Sequence, residues 1–245
     1  MFDLRQRKND RPLLVGHRGA MAVAPGNTFA SLEAGLAGGA DILELDVQLT
    51  ADGQVILFHD TTLTAKTGVN GRISDHTAEF LQSLDVGSWF DPAFAGAKMP
   101  LLSEVLNWAK GRIPLMIELK NSPTFAPALD QAVVRLVEDF SMCDEVVITS
   151  FDHFALRRIK THQPNITTSA IYIGRYLDPM ALFTGFEVDA LSPATDFLTK
   201  SEVARIRWLG YACSPGGFTW DYATLINWGV DTVSSNDPAA MQWPV

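Results

Sequence analysis

Short apolar runs alternate along the chain with stretches that have the spacing of amphipathic helices. The first cycle is a strand-like run, Pro12 to His17, a helix-compatible stretch, Thr28 to Leu36, and a second strand-like run, Asp41 to Thr50. Parallel strands need crossover connections of this kind, so the alternation predicts an α/β fold. The Ala51-Asp52-Gly53 turn then predicts that the run from Gln54 to His59 continues the second strand or pairs back on it.

The alternation of strand-like and helix-like segments is interrupted once, between residues 60 and 100. Residues 60–100 are rich in Gly, Thr, Ser and aromatic residues, and only a short helix at 77–83 is predicted there, so this segment is interpreted as an insertion. A helix is then expected from about Ser103, which is a favourable N-cap residue. The later strands are predicted at 114–120, 145–151, 167–173, 189–192, 210–214 and 230–234, with helices at about 125–140, 153–162, 178–184, 199–208 and 219–228.

Counting the run from Gln54 with the second strand, these patterns predict eight strands. A length of 245 residues is also close to the roughly 250 residues typical of one TIM (β/α)8 barrel. We therefore predict a single barrel domain, 1–245, in which residues 60–100 cap the C-terminal face, and an eighth helix that is short or missing. An open doubly wound sheet is the alternative, but the first strand is followed by neither a GxGxxG motif nor a P-loop.

Composition and charge exclude several classes of protein. The net charge of -9 argues against non-specific binding to nucleic acid, and no apolar run approaches the roughly 18 residues needed to cross a bilayer. Because the segment from Met1 to Arg11 is polar and charged, a cytoplasmic location without stable membrane insertion is expected. Cys143 and Cys213 are not in a CxxC pair and are interpreted as buried structural thiols. The sequence leaves the oligomeric state open.

Charged side chains are concentrated at the ends of the early strands. Side chains alternate between the two faces of a strand, so Glu44 and Asp46 share one face, as do Glu118 and Lys120, while His17 ends the first strand. The intervening residues are apolar and suit the helix-facing side. Since barrel enzymes keep their sites at the C-terminal ends of the strands, these residues are predicted to meet at one rim around the barrel axis.

The residue types at this rim favour phosphoryl chemistry. Glu44, Asp46 and Glu118 are the oxygen ligands that a hard cation such as Mg²⁺ or Ca²⁺ prefers. His17 and His59 are the natural proton-transfer groups because the pKa of histidine lies near neutral pH, and Arg18 and Lys120 supply positive charge for a phosphate. The remaining histidines, His76, His153 and His162, are interpreted as surface residues.

Several motifs of the chain resemble the signature of the glycerophosphodiester phosphodiesterases of the cytoplasmic bacterial type. The similar segments are His17-Arg18-Gly19, the run from Gly39 to Val47, Phe58-His59-Asp60, Gly87 to Pro92, Pro100 to Leu106, Ile117 to Lys120 and, more loosely, Ser150-Phe151-Asp152. The resemblance covers roughly the first 150 residues well, in matching order and spacing.

The resemblance implies a TIM barrel with a small insertion after the second strand. It also implies hydrolysis of a glycerophosphodiester, a small-molecule substrate, to sn-glycerol 3-phosphate and an alcohol. By the same resemblance, the metal ligands are Glu44, Asp46 and Glu118, the acid and base are His17 and His59, and the phosphate-binding residues are Arg18 and Lys120. The implied mechanism has one histidine activate the glycerol 2-hydroxyl while the other protonates the leaving alcohol.

The chain also departs from the family pattern, and the departures leave alternatives open. The family usually has Pro-Glu-Asn-Thr where this chain has Pro25-Gly26-Asn27-Thr28, so a site carboxylate is missing, and the last strands differ as well. One alternative is lysophospholipase D-type activity on lysophospholipids, which would need an exposed apolar groove near Trp89. Another is a catalytically impaired barrel that binds phosphodiesters. Aromatic candidates for the substrate-facing wall are Phe151, Tyr172 and Phe218.

Overall fold

A computed structural model describes residues 1–120, 127–178, 181, 187–217 and 221–243. Among these residues are nine strands: β1 (Leu13–Gly16), β2 (Ile42–Leu49), β3 (Val55–Leu57), β4 (Leu115–Leu119), β5 (Val146–Ser150), β6 (Thr167–Tyr172), β7 (Ala190–Pro193), β8 (Ala212–Cys213) and β9 (Thr232–Ser235). All but β3 pair in parallel, in the order β8-β7-β6-β5-β4-β2-β1-β9. The fold is therefore a TIM (β/α)8 barrel, as the alternation predicts.

The helices cover the outside of this sheet. They are α1 (Phe29–Ala37), α2 (Thr64–Thr67), α3 (Ala78–Ser83), α4 (Leu102–Ala109), α5 (Pro127–Asp139), α6 (His153–His162), α7 (Lys200–Trp208) and α8 (Tyr222–Trp228). After β9 the described chain forms only a 3₁₀ turn, Pro238–Ala240, in agreement with the prediction of a short or missing last helix. The helix predicted at 178–184 lies mostly outside the described residues. Within the described ranges, none of the helices combines the length and apolar character required to traverse a bilayer.

The barrel closes between its last two strands through backbone and side-chain contacts. The Asp231 N–H donates to the Cys213 carbonyl at 2.8 Å, and the Cys213 N–H donates to Asp231 Oδ2 at 2.8 Å. The hydroxyl oxygens of Ser214 and Thr232 lie 2.7 Å apart. Asp231 is fully buried and pairs with Arg7 and Arg207, so its carboxylate fastens the seam of the barrel.

Alternate residues of each strand belong to two separate apolar cores. Leu14, Leu43 and Leu45 pack in the large core between sheet and helices, whereas Val15, Ile42 and Met116 pack in a smaller core inside the barrel. Leu4, which is 2% exposed, joins this inner core from the N-terminal segment. The strand periodicity thus determines which side chains point toward the barrel axis.

The segment between β2 and α4 differs from the βα pattern of the remaining chain. After a turn in which Gly53 has a φ of +78°, β3 pairs antiparallel with β2, so the run from Gln54 pairs back rather than continuing the strand. Residues 60–100 contain α2, α3 and two 3₁₀ turns. They pack on a third apolar core that includes Ile56, Phe58, Leu63, Ile73, Leu81, Val86 and Met99.

The predicted start of α4 at about Ser103 is confirmed to within one residue, but Ser103 as its N-cap is wrong. The helix begins at Leu102 with Leu101 as its N-cap. The Glu104 carboxylate accepts the Leu101 N–H at 2.7 Å, so an acid in the first turn satisfies the backbone donor and the Ser103 hydroxyl is not needed as a cap.

Candidate active site

The carboxyl ends of β2 and β4 bring three carboxylates together. In the register between these strands Asp46 lies opposite Glu118, and Glu44 lies opposite Met116. Each of Glu44, Asp46 and Glu118 offers an oxygen, and these oxygens lie within 4.8 Å of one another. Glu44 is 7% exposed and Asp46 only 1% exposed, so the cluster is largely removed from water.

Burial and like charge act strongly on this cluster. Burial, followed by the charges of Asp46 and Glu118, raises the pKa of Glu44 well above its usual value. Burial also raises the pKa of Glu118, against the opposing effect of Lys120. Burial favours a higher pKa for Asp46 too, but the Lys120 and Arg18 charges outweigh it and lower the pKa. Asp46 is thus the one carboxylate of the three whose pKa is lowered.

Two cationic side chains border Asp46 from opposite sides. Lys120 Nζ lies 3.1 Å from Asp46 Oδ1 and 2.5 Å from Glu118 Oε1, and Arg18 Nε lies 3.1 Å from Asp46 Oδ2. Burial would lower the pKa of Lys120, but the Asp46 and Glu118 charges raise it, so the ammonium remains charged. Arg18 Nε is buried and faces the Asp46 carboxylate without a well-aligned hydrogen bond, so the guanidinium is held there mainly by charge.

The loop after β1 holds Arg18 and Asn27 against β2. Arg18 has a φ of +51°, and its backbone N–H donates to Glu44 Oε2 at 2.9 Å. Asn27 Nδ2 donates to Asp46 Oδ2 at 2.8 Å, while the Asp46 N–H donates to Asn27 Oδ1 at 3.0 Å. A Cβ at Gly26 would lie 3.1 Å from the Cβ atoms of Arg18 and Met21. Gly26, which stands where the family usually has a glutamate, is therefore closely packed against Arg18.

His17 lies at the start of this loop, beside Glu44. Its Nε2 is 3.9 Å from Glu44 Oε2, and its Nδ1 is 2.6 Å from Oδ1 of Asn236, which follows β9. Burial, with a further contribution from the Arg18 charge, lowers the pKa of His17 from 6.5 to about 4. The imidazole is consequently neutral at physiological pH and able to accept a proton.

His59 approaches from the end of β3. Gln48 Nε2 donates to the backbone carbonyls of Phe58 and Asp60 at 2.8 and 2.9 Å, which fixes the residues on both sides of His59. His59 Nδ1 lies 2.8 Å from Asp60 Oδ1, and Lys66 Nζ lies 3.4 Å from Asp60 Oδ2. Burial lowers the pKa of His59, partly against the Asp46 charge, which raises it.

A cavity of about 260 Å³ extends from His17 along the later strands. Its titratable lining residues are His17, Glu44 and Glu118, all from β2 and β4 or the loop after β1. The other lining residues are Met116, Thr149, Phe151, Ile171, Ile173, Ser192, Ala194, Ser214, Pro215, Gly216, Gly217 and Ser234. The cavity therefore has one charged side and one side of hydroxyl and apolar groups.

The predicted aromatic wall residues, cysteines and surface histidines agree only in part with the structure. Phe151 lines the cavity and is 51% exposed, whereas Tyr172 is buried in the core between sheet and helices, and Phe218 lies outside the described residues. Cys213 is buried and Cys143 half-buried, both as free thiols. His162 is exposed, but the surface assignment of His153 is wrong, since it is half-buried and its Nε2 lies 2.7 Å from the Ile171 carbonyl oxygen.

Sequence reasoning missed three polar residues that contact the site. Asn27 bonds to Asp46, Asp60 contacts His59, and Asn236 contacts His17. Asp60 directly follows the strand-like run from Gln54 to His59, and Asn236 lies two residues after the run 230–234, positions that signal the rim of a barrel. No pattern in the sequence indicates which histidine each of them contacts, because those pairs depend on side-chain direction after the strand ends.

The chain is similar in sequence to known proteins of one family. The profile of the glycerophosphoryl diester phosphodiesterase family matches residues 17–240. A glycerophosphodiester phosphodiesterase from Caldanaerobacter subterraneus subsp. tengcongensis is 29% identical over 241 residues, which cover 94% of this chain and 96% of the relative. One from Bacillus subtilis is 31% identical over 249 residues, which cover 94% of this chain and 85% of the relative.

Among solved structures, an Oleispira antarctica phosphodiesterase in complex with the product sn-glycerol-3-phosphate is similar to this chain. Its TM-score is 0.86 at 26% sequence identity, and the match covers 94% of this chain and 95% of that one. The two chains therefore share most of their fold.

The buried cluster predicts an unusual effect of Glu44→Gln on stability. A carboxyl group whose pKa is raised by folding binds its proton more tightly in the folded state, so it lowers stability as pH rises above its usual value of 4.5. In the presence of a chelator, we expect Glu44→Gln to have a higher thermal midpoint than the parent protein at about pH 8, and a smaller advantage at about pH 5.

Thermal unfolding at several pH values checks this expectation, with Glu33→Gln as the control because Glu33 is exposed and pairs with exposed Arg112. A lower midpoint for Glu44→Gln than for the parent protein at about pH 8 would show that like-charge repulsion does not act on Glu44.

Proposed function

The chain belongs to the glycerophosphoryl diester phosphodiesterase family, and on this premise we propose that it hydrolyses glycerophosphodiesters to sn-glycerol 3-phosphate and an alcohol with a divalent cation and two histidines. Its class is that of the phosphoric diester hydrolases. The observation that carries the proposed mechanism is the meeting of three carboxylates, two histidines and two cationic side chains at one rim of the barrel.

The carboxylate cluster fits a hard divalent cation. The oxygens of Glu44, Asp46 and Glu118 lie close enough to share one ion, and the raised pKa values of Glu44 and Glu118 reflect a charge that a cation would neutralise. These three residues would hold Mg²⁺ or Ca²⁺. When bound, the ion supplies Lewis-acid polarisation of the phosphoryl oxygens and a fixed position for the attacking oxygen.

Arg18 and Lys120 are the proposed phosphate-binding residues. Both pair with Asp46, so each becomes available for a phosphate when the Asp46 charge is shared with a cation. Arg18 Nε contacts Asp46 without a well-aligned hydrogen bond, and a guanidinium can bind two phosphate oxygens at once. The two side chains would thereby hold the phosphorus between the histidines.

His17 and His59 are proposed to move the protons. One histidine removes the proton of the glycerol 2-hydroxyl, whose oxygen attacks phosphorus, and the other gives a proton to the oxygen of the leaving alcohol. This step forms one P–O bond, breaks another and leaves a cyclic phosphate. Water then opens the ring with the two proton transfers reversed, which regenerates both histidines and gives sn-glycerol 3-phosphate.

Lysophospholipase D-type activity is a second candidate that one observation favours. Phe151 and Ile173 line the cavity beside His17 and are 51% and 58% exposed, so an apolar chain would have a contact surface there. Trp89 of the insertion is also 45% exposed. An acyl chain on the substrate would raise kcat/KM if this surface binds it.

Release of glycerol 3-phosphate by the purified protein tests the proposed function. Glycerophosphocholine, glycerophosphoethanolamine and a series of lysophosphatidylcholines of different chain length are offered with Mg²⁺, with Ca²⁺ or with a chelator, and lysophosphatidic acid is measured for the lysolipids. We expect cation-dependent release from the two glycerophosphodiesters. An increase of kcat/KM with chain length would favour the lysolipid reaction, and turnover of no substrate by folded protein would favour a phosphodiester-binding barrel without catalysis.

Removal of His17 tests the proton-transfer role. Positioned acid–base catalysis contributes about 10²- to 10⁴-fold, so His17→Ala is expected to lower kcat at least about a hundredfold while folding and cation binding persist. His162→Ala is the matched control because His162 is exposed on α6. Near-normal turnover of His17→Ala would remove His17 from the mechanism.

A further inference from the structure

Asn236 contacts His17 through its side-chain oxygen, and this contact determines which ring nitrogen of the imidazole carries the proton. Its side-chain oxygen Oδ1 lies 2.6 Å from His17 Nδ1. A carbonyl oxygen only accepts hydrogen bonds, so the proton of the neutral ring resides on Nδ1. The other nitrogen, Nε2, is then the proton acceptor, and it faces the carboxylate cluster, 3.9 Å from Glu44 Oε2.

The backbone around Asn236 is tied to the backbone around His17. β1 and β9 pair in parallel with Gly16 opposite Ser235. Beyond the strands, the His17 N–H donates to the Ser235 carbonyl at 2.9 Å, and the Ala22 N–H donates to the Asn236 carbonyl at 2.9 Å. Backbone hydrogen bonds therefore fix the position of Asn236 relative to His17.

The two histidines of the site have chemically different partners. His59 Nδ1 contacts the Asp60 carboxylate, whereas His17 Nδ1 contacts the Asn236 amide. An amide orients the ring without adding a fourth negative charge beside Glu44, Asp46 and Glu118. Asn236 therefore contacts the ring without carrying a charge of its own.

We propose that Asn236 is a positioning residue, which holds His17 as the Nδ1-protonated tautomer with Nε2 directed to the reacting oxygen. The proposal rests on the proposed function, in which His17 transfers a proton. Asn236 acts through His17 and does not itself contact the carboxylates in the described contacts. Its loss should therefore reduce the chemical step and spare substrate and cation binding.

Three variants test this role. Asn236→Ala removes the acceptor, and Asn236→Asp retains an acceptor oxygen of the same reach. Ser235→Ala serves as the local control because, among the described residues, the Ser235 hydroxyl hydrogen-bonds to the Asp237 N–H alone, at 3.1 Å. We expect Asn236→Ala to lower kcat about 10- to 100-fold with little change in KM, and Asn236→Asp to lose less. Ser235→Ala should keep the kcat of the parent protein.

Ring-nitrogen NMR of protein containing ¹⁵N-histidine provides a readout that a merely structural role would not move. The His17 signals, identified by their absence in His17→Ala, should show the Nδ1-protonated tautomer in the parent protein and in Asn236→Asp, and a mixture of tautomers in Asn236→Ala. An unchanged tautomer in Asn236→Ala, or an unchanged kcat, would overturn the proposal. If the parent protein turns over no phosphodiester, the proposed function fails, and the NMR comparison alone still decides whether Asn236 sets the tautomer.

Discussion

The repulsion among two buried carboxylates and one half-buried carboxylate is the constraint to which the rest of the site responds. Glu44, Asp46 and Glu118 offer oxygens within 4.8 Å of one another, at a depth where water compensates little of their charge. Arg18 and Lys120 offset part of this negative charge by pairing with Asp46. The remaining repulsion contributes, with burial, to the raised pKa of Glu44. A divalent cation would relieve the remaining repulsion and release both cationic side chains, so in the proposed function metal binding and phosphate binding would be coupled through Asp46.

The barrel supplies the geometry that this arrangement needs. Parallel strands end at the same rim, and the register that places Asp46 opposite Glu118 is fixed by apolar residues that pack on the helix side. The histidines are added by less regular structure, since His17 begins the loop after β1 and His59 follows the antiparallel β3. Rigid strands thus carry the charged cluster, and hydrogen-bonded loops orient the proton-transfer groups.

Period-two alternation and residue type were sufficient to predict the barrel and the convergence of Glu44, Asp46 and Glu118. A strand that faces helices on one side must direct the intervening side chains to the axis, so local sequence determines their direction. The contact between His17 and Asn236 joins residues far apart in the chain after both strands have ended, and no local pattern encodes it. The N-cap of α4 was missed for a different, local reason, because the Glu104 carboxylate accepts the Leu101 N–H from inside the helix. Local periodicity therefore predicts the scaffold better than the side-chain contacts made beyond the strands.

The most direct test of the coupling at Asp46 is a titration with Mn²⁺ followed by electron paramagnetic resonance, since carboxylate sites for Mg²⁺ or Ca²⁺ also accept Mn²⁺. The parent protein and Asp46→Asn are compared, with Asp52→Asn as the control because Asp52 is exposed in the hairpin turn. We expect one bound ion per chain in the parent protein and the control, and an affinity at least about tenfold lower in Asp46→Asn. Equal affinity in all three proteins would contradict it and would place the cation away from the carboxylate cluster.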